Sequence, residues 1–289
     1  MTARVSVVIP AYNNAMYLAD TVRSVLQQTY DDFELIVADH SSIDGTAEVL
    51  ESFRGDPKLR ILTPTPRGGG AVANWNRVSR AATGEWIKLV CGDDLLDPGA
   101  LAKQIAAVDE HPSAVMVASR RRIVDSHGQE VIAARGLAGL KGLVSGRDAI
   151  RATVRAGANI FGEPVCVLLK RGQLEAAEWW TDAYPYLLDE ASYVNVLLHG
   201  DVVAIREPLA SFRISTTQWS VQLAKLQSEH ATGFHHALRE REPGLLSGTD
   251  VFIGDLKARC TAYGRRLIYV WLNRRPGRKH RLESRSRPS

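Results

Sequence analysis

At 289 residues and 45% hydrophobic content, the chain has the composition of a soluble globular protein that buries a sizeable core in one large domain with an appendage. Its three cysteines, Cys91, Cys166 and Cys260, are odd in number and far apart, which speaks against a disulfide framework or zinc site and for a reducing compartment. No run approaches the roughly 18 apolar residues of a membrane span, and the first apolar run stops at Pro10 without the flanks of an export signal.

The formal charge of +4 is uneven: from Lys257 onward there are eleven Lys or Arg and one acid, Glu283, so the residues before it carry a net −6. That distribution excludes nucleic acid as the expected partner and favours an anionic surface met by an appendage.

Val5 to Pro10 reads as a buried strand, and Ala15 to Gln28 as a helix through the spacing of Met16, Leu18, Val22, Val25 and Leu26. Phe33 to Ala38 is a second strand, after which Ser41-Ser42-Ile43-Asp44-Gly45 has the turn and cap chemistry that opens a helix from Thr46 to Phe53. A short strand at Leu59 to Leu62, a glycine-rich turn at Gly68-Gly69-Gly70 and a helix from Val72 to Ala82 lead to the strand Trp86 to Val90. Strands and helices alternating at this spacing predict an α/β fold with a Rossmann-like, mostly parallel central sheet flanked by helices. Ligands of such sheets bind beyond the carboxyl ends of the strands, where Asn13, Asp39 and Asp93 all fall.

The second half is less regular. Leu101 to Asp109 is helical and Ala114 to Ser119 strand-like, while Arg120-Arg121-Arg122 and the glycines from Gly128 to Gly146 read as an irregular connection. Gly162 to Leu168 is a turn entering a strand, and Tyr186 to Glu190 leads into a helix. Two more helical stretches, Gln218 to Arg241 and Val251 to Asn273, are separated by Pro243-Gly244. The expected organisation is therefore a domain over 1–216 with halves 1–110 and 111–216, a helical C-terminal region over 217–273, and a basic disordered tail over 274–289.

Cys91-Gly92-Asp93-Asp94 follows the buried strand directly, and an ionised carboxylate placed there demands a compensating charge or several hydrogen bonds. A hard divalent cation meets that demand and also neutralises a diphosphate, which makes the pair a candidate nucleotide-sugar site. Taken alone, the pair reads equally well as a turn with an exposed acid, and Asp39 as a strand-end turn residue. Asp189 and Glu190 read alone as a solvated helix N-terminus.

In order and spacing, four blocks resemble the family 2 glycosyltransferases, inverting enzymes of the glycosyltransferase-A fold: Val7 to Asn13, Ser24 to Tyr30, Phe33 to Asp39 with Ser42 to Thr46, and Gly84 to Ile87 before Gly92-Asp93-Asp94. The resemblance covers residues 4 to 110 closely and thins out towards 216. It implies that Pro10, Ala11, Tyr12 and Asn13 wall a nucleotide pocket, that Asp39 accepts from the base, and that Asn76 and Arg213 join the nucleotide-sugar contacts. Asp93 and Asp94 would hold Mn2+ or Mg2+, and Asp189, or Glu190 if the alignment shifts by one, would be the catalytic base. Three positions depart from the commoner pattern. Cys91 replaces an acid, His40 and Ser41 replace an acid and a glycine, and Ser215 stands where many relatives have histidine.

The implied activity is metal-dependent, inverting, hexosyltransferase-type transfer from a UDP-sugar or similar donor to a glycan or lipid-linked saccharide in cell-envelope polysaccharide biosynthesis. Its place would be the cytoplasmic face of the membrane, peripherally bound through the basic C-terminal region, where Leu267 to Leu272 lies between pairs of arginines. A homo-oligomer is compatible with the sequence. The rival readings are a degenerate relative that binds nucleotide or glycan without turnover, and a sugar-nucleotide pyrophosphorylase, which would want a basic glycine-rich loop that Ala11 to Asn14 does not offer. Gly68-Gly69-Gly70 matches no phosphate-binding motif, and His235-His236 reads as a packing pair. Trp180 and Tyr186, just before Asp189, suit an acceptor-sugar platform.

Overall fold

The computed structural model describes residues 3–214 and 226–274, with side chains through residue 262; Ser215 and the basic tail beyond Arg274 lie outside the described residues. Strand β1 (Val5–Ala11) is buried along its whole length and pairs in parallel with β2 (Phe33–Asp39) on one side and β4 (Trp86–Leu89) on the other. Strand β3 (Leu59–Ile61) extends the parallel run beyond β2. Continuous apolar runs suit such strands because helices cover both faces of the sheet. The crossovers are α1 (Leu18–Leu26), α2 (Thr46–Glu51) and α3 (Gly70–Arg80), and α1 buries Leu18, Val22 and Val25.

Past β4 the sheet becomes mixed. A two-residue strand β5 (Leu95–Leu96) follows the acid pair, and α4 (Ala100–Glu110) leads into β6 (Ala114–Val124). Then come β7 (Glu130–Arg135), β8 (Gly142–Val144), α5 (Gly146–Ala156), a 3₁₀ turn at Pro164–Cys166, β9 (Val167–Lys170), α6 (Arg171–Ala176), α7 (Leu188–Leu197) and β10 (Asp201–Arg213). The strand order is β3-β2-β1-β4-β9-β6-β10-β5, with β7 on β6 and β8 on β10. Antiparallel β9 joins β4 to β6, and β6 then runs parallel to β10.

The mostly parallel central sheet expected from the sequence is present: β1 to β4, β6 and β10 share one direction, and β5, β7, β8 and β9 run against it. Arg120-Arg121-Arg122, expected in an irregular connection, lies within β6. The reason is tertiary: Arg121 is buried and paired with Glu163, so a charged residue occupies an inward position of the strand.

Helices α8 (Gln227–Arg241) and α9 (Gly248–Arg274) form the C-terminal layer. They are tied to α5, because Arg155 donates to Asp250 at 2.7 Å and Arg151 to the carbonyl of Leu245 at 3.2 Å. Among the described residues no helix is long and apolar enough to cross a membrane.

Candidate active site

Three loops at the carboxyl ends of β1, β2 and β4 are stitched into one rim. Asn13 holds a left-handed backbone (φ 50°), accepts from the N–H of Ile43 at 3.1 Å and donates its own N–H to Ser42 Oγ at 2.9 Å. Asn14 N–H donates to Thr46 Oγ1, and Asp44 takes the N–H groups of Ala15 and Thr46. Ser41 is also left-handed (φ 54°), a conformation that costs on the order of 1–3 kcal/mol and persists only where surroundings impose it. The β1 loop also meets the acid loop, since a β-carbon at Gly92 would lie 2.6 Å from Asn14 Oδ1. Only glycine permits that approach.

Pro10 and Ala11 are buried inside β1, so the part of their loop that faces solvent is Tyr12 and Asn13. Asp39 is nearly buried and receives the N–H and hydroxyl of Ser42. His40 packs its ring against Tyr12 and is linked through Nε2 to the carbonyl of Gly68 at 2.9 Å, fixing the glycine-rich turn to the rim.

Asp94 is 0% exposed. Its Oδ1 accepts the backbone N–H of Arg213 at 3.1 Å, because antiparallel β5 lays the acid loop against the end of β10. Its Oδ2 has no hydrogen-bond partner among the described residues. Burial, reinforced by the charge of Asp93, holds the carboxyl well above the usual carboxylate range. An orphaned, buried carboxylate oxygen beside a second carboxylate is a donor set that Mn2+ or Mg2+ fits, since such ions commonly take one or two carboxylates and leave the rest to phosphate and water. No group of three or more His, Cys, Asp or Glu residues able to hold a metal occurs among the described residues.

Arg213, expected among the nucleotide-sugar contacts, is buried instead; its Nε donates to the carbonyl of Asp93 at 3.0 Å and its guanidinium lies 4.4 Å from the Tyr17 ring centre. It positions the acid loop. Asn76 is likewise occupied: its Oδ1 accepts the N–H of Trp180 at 2.9 Å and its Nδ2 donates to the Trp180 carbonyl at 3.1 Å. Trp180 is 4% exposed, donates Nε1–H to Ser79 and packs edge-on against Trp75 and Tyr193. A ring enclosed this way has no face to offer a sugar, which corrects the platform expectation. Tyr186 remains partly exposed in a 3₁₀ turn, Pro185–Leu187, before α7, with its N–H on His230.

Asp189 and Glu190 open α7 but point to different surroundings. Glu190 is 2% exposed and receives Thr153 Oγ1 at 2.6 Å; burial pushes its carboxyl up to about 8. It is an internal acid, so the alternative placement of the base on Glu190 is corrected. Asp189 is partly exposed, accepts from the N–H of Glu190 at 2.7 Å and from Asn159 Nδ2 at 2.9 Å, and is pushed up to about 7, chiefly by burial.

Burial raises the Cys91 thiol well above the ordinary range, and the charges of Asp94, Asp93, Asp189 and Glu163 add to the effect. The acid pair of the first half and the acid of the second thus share one electrostatic neighbourhood. Two participants escaped the sequence reading. Asn159 uses its carbonyl for the N–H groups of Phe161 and Gly162 and its amide for Asp189. Glu163, paired with Arg121, adds negative charge near Asp94 and Asp189. The turn-forming Gly162-Glu163-Pro164 was their one visible signal.

The family model described as Glycosyl transferase family 2 matches residues 6–163, more than half of the chain. The chain belongs to glycosyltransferase family 2. It is 32% identical over 129 residues to the glycosyltransferase GlyG of Streptococcus pneumoniae, a match covering 44% of this chain and 42% of that protein. The match thus spans well under half of that relative's length. The solved structure of Staphylococcus aureus TarS residues 1–349 superposes with a TM-score of 0.68 at 16% identity, over 90% of this chain and 72% of that one. The mannosyltransferase PcManGT of Pyrobaculum calidifontis, solved with GDP-Man and Mn2+, superposes with a TM-score of 0.61 at 17% identity, over 94% and 80%. The mixed sheet with its flanking helices is the glycosyltransferase-A fold.

Proposed function

We propose that this chain is an inverting, metal-dependent hexosyltransferase that moves a sugar from a nucleotide-diphosphate donor to a hydroxyl of a glycan or lipid-linked saccharide, in the making of cell-envelope polysaccharide. The observation that carries the reading is Asp94, just past the end of β4, fully buried with one carboxylate oxygen that has no partner among the described residues. Tyr12, Asn13 and Asp39 would line the nucleotide, with Asp39 accepting from the base through lone pairs that Ser42 leaves free. Asp94 and Asp93 would hold Mn2+ or Mg2+, which when bound supplies the charge that neutralises a departing diphosphate.

Asp189 would take the proton of the acceptor hydroxyl. A carboxyl pushed up to about 7 suits a base working near neutral pH, and Asn159 holds the carboxylate in place. One base and no second carboxylate acting as nucleophile implies inversion at the anomeric carbon. The acceptor side would involve Tyr186 near the base. The donor classes of the superposed proteins support a nucleotide sugar: TarS was solved with UDP-GlcNAc and PcManGT with GDP-Man. The domain over 1–216 would do the chemistry, with the helical region over 217–273 and the basic tail over 274–289 holding it peripherally at the cytoplasmic membrane face.

A thermal-shift panel of UDP-, GDP- and dTDP-sugars with and without Mn2+ tests the reading, because a ligand bound only by the folded state raises the melting temperature. One donor class stabilising the protein in a Mn2+-dependent way is the expected result; no response to any donor would contradict it. The replacement of an acid by Cys91 favours a second reading, a relative that binds donor without turnover. Donor hydrolysis or transfer with added Mn2+ separates the two.

A further inference from the structure

Helix α9 has two dissimilar sides. One is locked onto α5: a β-carbon at Gly254 would lie 2.3 Å from the carbonyl oxygen of Val154, and one at Gly157 would lie 2.6 Å from Gly254 O. Val251, Ala258 and Ala262 are buried, and Asp255 is held by His235 Nδ1 at 2.8 Å and His236 Nε2 at 2.9 Å. These contacts fix the rotation of the helix. On the side turned away, Phe252 is 69% and Leu256 54% exposed, one turn apart. The helical backbone runs on to Arg274.

A solvent-facing helix side is ordinarily polar, and large apolar residues repeated there mark an interaction surface. Charge says which kind. The stretch from Lys257 onward carries eleven cations against one acid, with Lys257, Arg259, Arg265, Arg266 and Arg274 on this helix. A second copy would bring the same cations against them, and like charges disfavour that pairing. An anionic bilayer surface offers apolar depth and opposite charge together.

We propose that the outward side of α9, beginning at Phe252 and Leu256, is the docking surface for an anionic lipid bilayer. This deepens the membrane placement proposed above and rests on it for the lipid chemistry, and it assigns the contact to a defined face of α9 within the helical region.

The test is co-sedimentation of the full chain with phosphatidylcholine vesicles made with and without phosphatidylglycerol, beside a Phe252→Glu, Leu256→Glu double variant. The wild type is expected to partition onto the phosphatidylglycerol vesicles in a salt-sensitive way, and the double variant to lose at least about ten-fold of that binding. Phe252→Trp, which keeps an apolar side chain, should bind at least as well as wild type, so a folding defect is not mistaken for lost docking. The proposal is overturned if wild type ignores the anionic vesicles, or if the double variant binds like wild type. It is also overturned if wild type is a dimer in light scattering that the double variant dissolves, because a second copy would then cover the face. The donor panel reads a different site, so failure here leaves the transferase reading separately testable.

Discussion

Between Val5 and Glu110 the chain builds a rim from backbone geometry: parallel strands end together, and Asn13, Asn14, Ser42 and Asp44 knit their loops through backbone N–H groups and side-chain oxygens. Between Ala114 and Arg213 it builds with buried charge. Arg121 on Glu163, Arg213 under the acid loop, and Glu190 on Thr153 are long-range contacts that make sense only once the mixed sheet has formed. The first region supplies the rim and the acid pair. The second sets the protonation of the groups that would act on substrate.

That contrast can be broken most severely at Asp189. Asp189→Asn is expected to lower transfer by about 10²–10⁴ while donor affinity, a property of the first region, is unchanged; parallel kinetic and binding measurements showing full turnover would remove Asp189 from the chemistry.

Glu190→Gln should do the reverse, leaving turnover near wild type. The Glu190 carboxyl is raised to about 8 from an ordinary 4.5, so the folded state binds the extra proton between those values and stability falls as pH rises through that window. Removing the ionisable group should therefore raise stability above pH 8, by at most about 5 kcal/mol, as read by denaturant melts at two pH values. Lost activity with unchanged stability would return Glu190 to the candidate bases.

Asn159→Ala removes a hydrogen bond to ionised Asp189, with an expected loss of about ten-fold in kcat. Because that bond favours the charged form, the rise in kcat/KM with pH, centred near 7 in wild type, should move to higher pH. An unshifted profile would make Asn159 merely structural. The smallest effect belongs to Trp180→Phe, which loses the bond to Ser79 at a cost of about 1 kcal/mol in stability and leaves acceptor KM unchanged. A raised acceptor KM would restore the platform.

The same contrast explains what was legible in the sequence. Strands β1, β2 and β4 are buried on both faces, so they read as apolar runs each broken within by a single polar residue, Ser6, Glu34 and Lys88, and each crossover helix announces itself by spacing. The acid pair was visible because it follows such a run. Strand β6 was cut short in the reading because three consecutive arginines look like a loop until Glu163, 42 positions after Arg121, supplies the partner. Strand β10 was missed because Arg206-Glu207-Pro208 interrupts it, and its register on β6 does shift between Ile205 and Pro208. Asn76 and Trp180 carried the right residue types, yet their groups turned out to hold each other rather than a ligand. Burial of a side chain is a tertiary fact, and spacing alone does not reveal it.

The central claim is that Asp94, buried with one oxygen lacking a partner, is kept for a cation shared with a diphosphate. Calorimetric titration of the nucleoside diphosphate chosen by the donor panel, with and without Mn2+, into wild type and Asp94→Asn tests it most directly. A Mn2+-dependent gain of at least about ten-fold in wild-type affinity that vanishes in the variant is the predicted result. An equal gain in both proteins, or none in wild type, would contradict it.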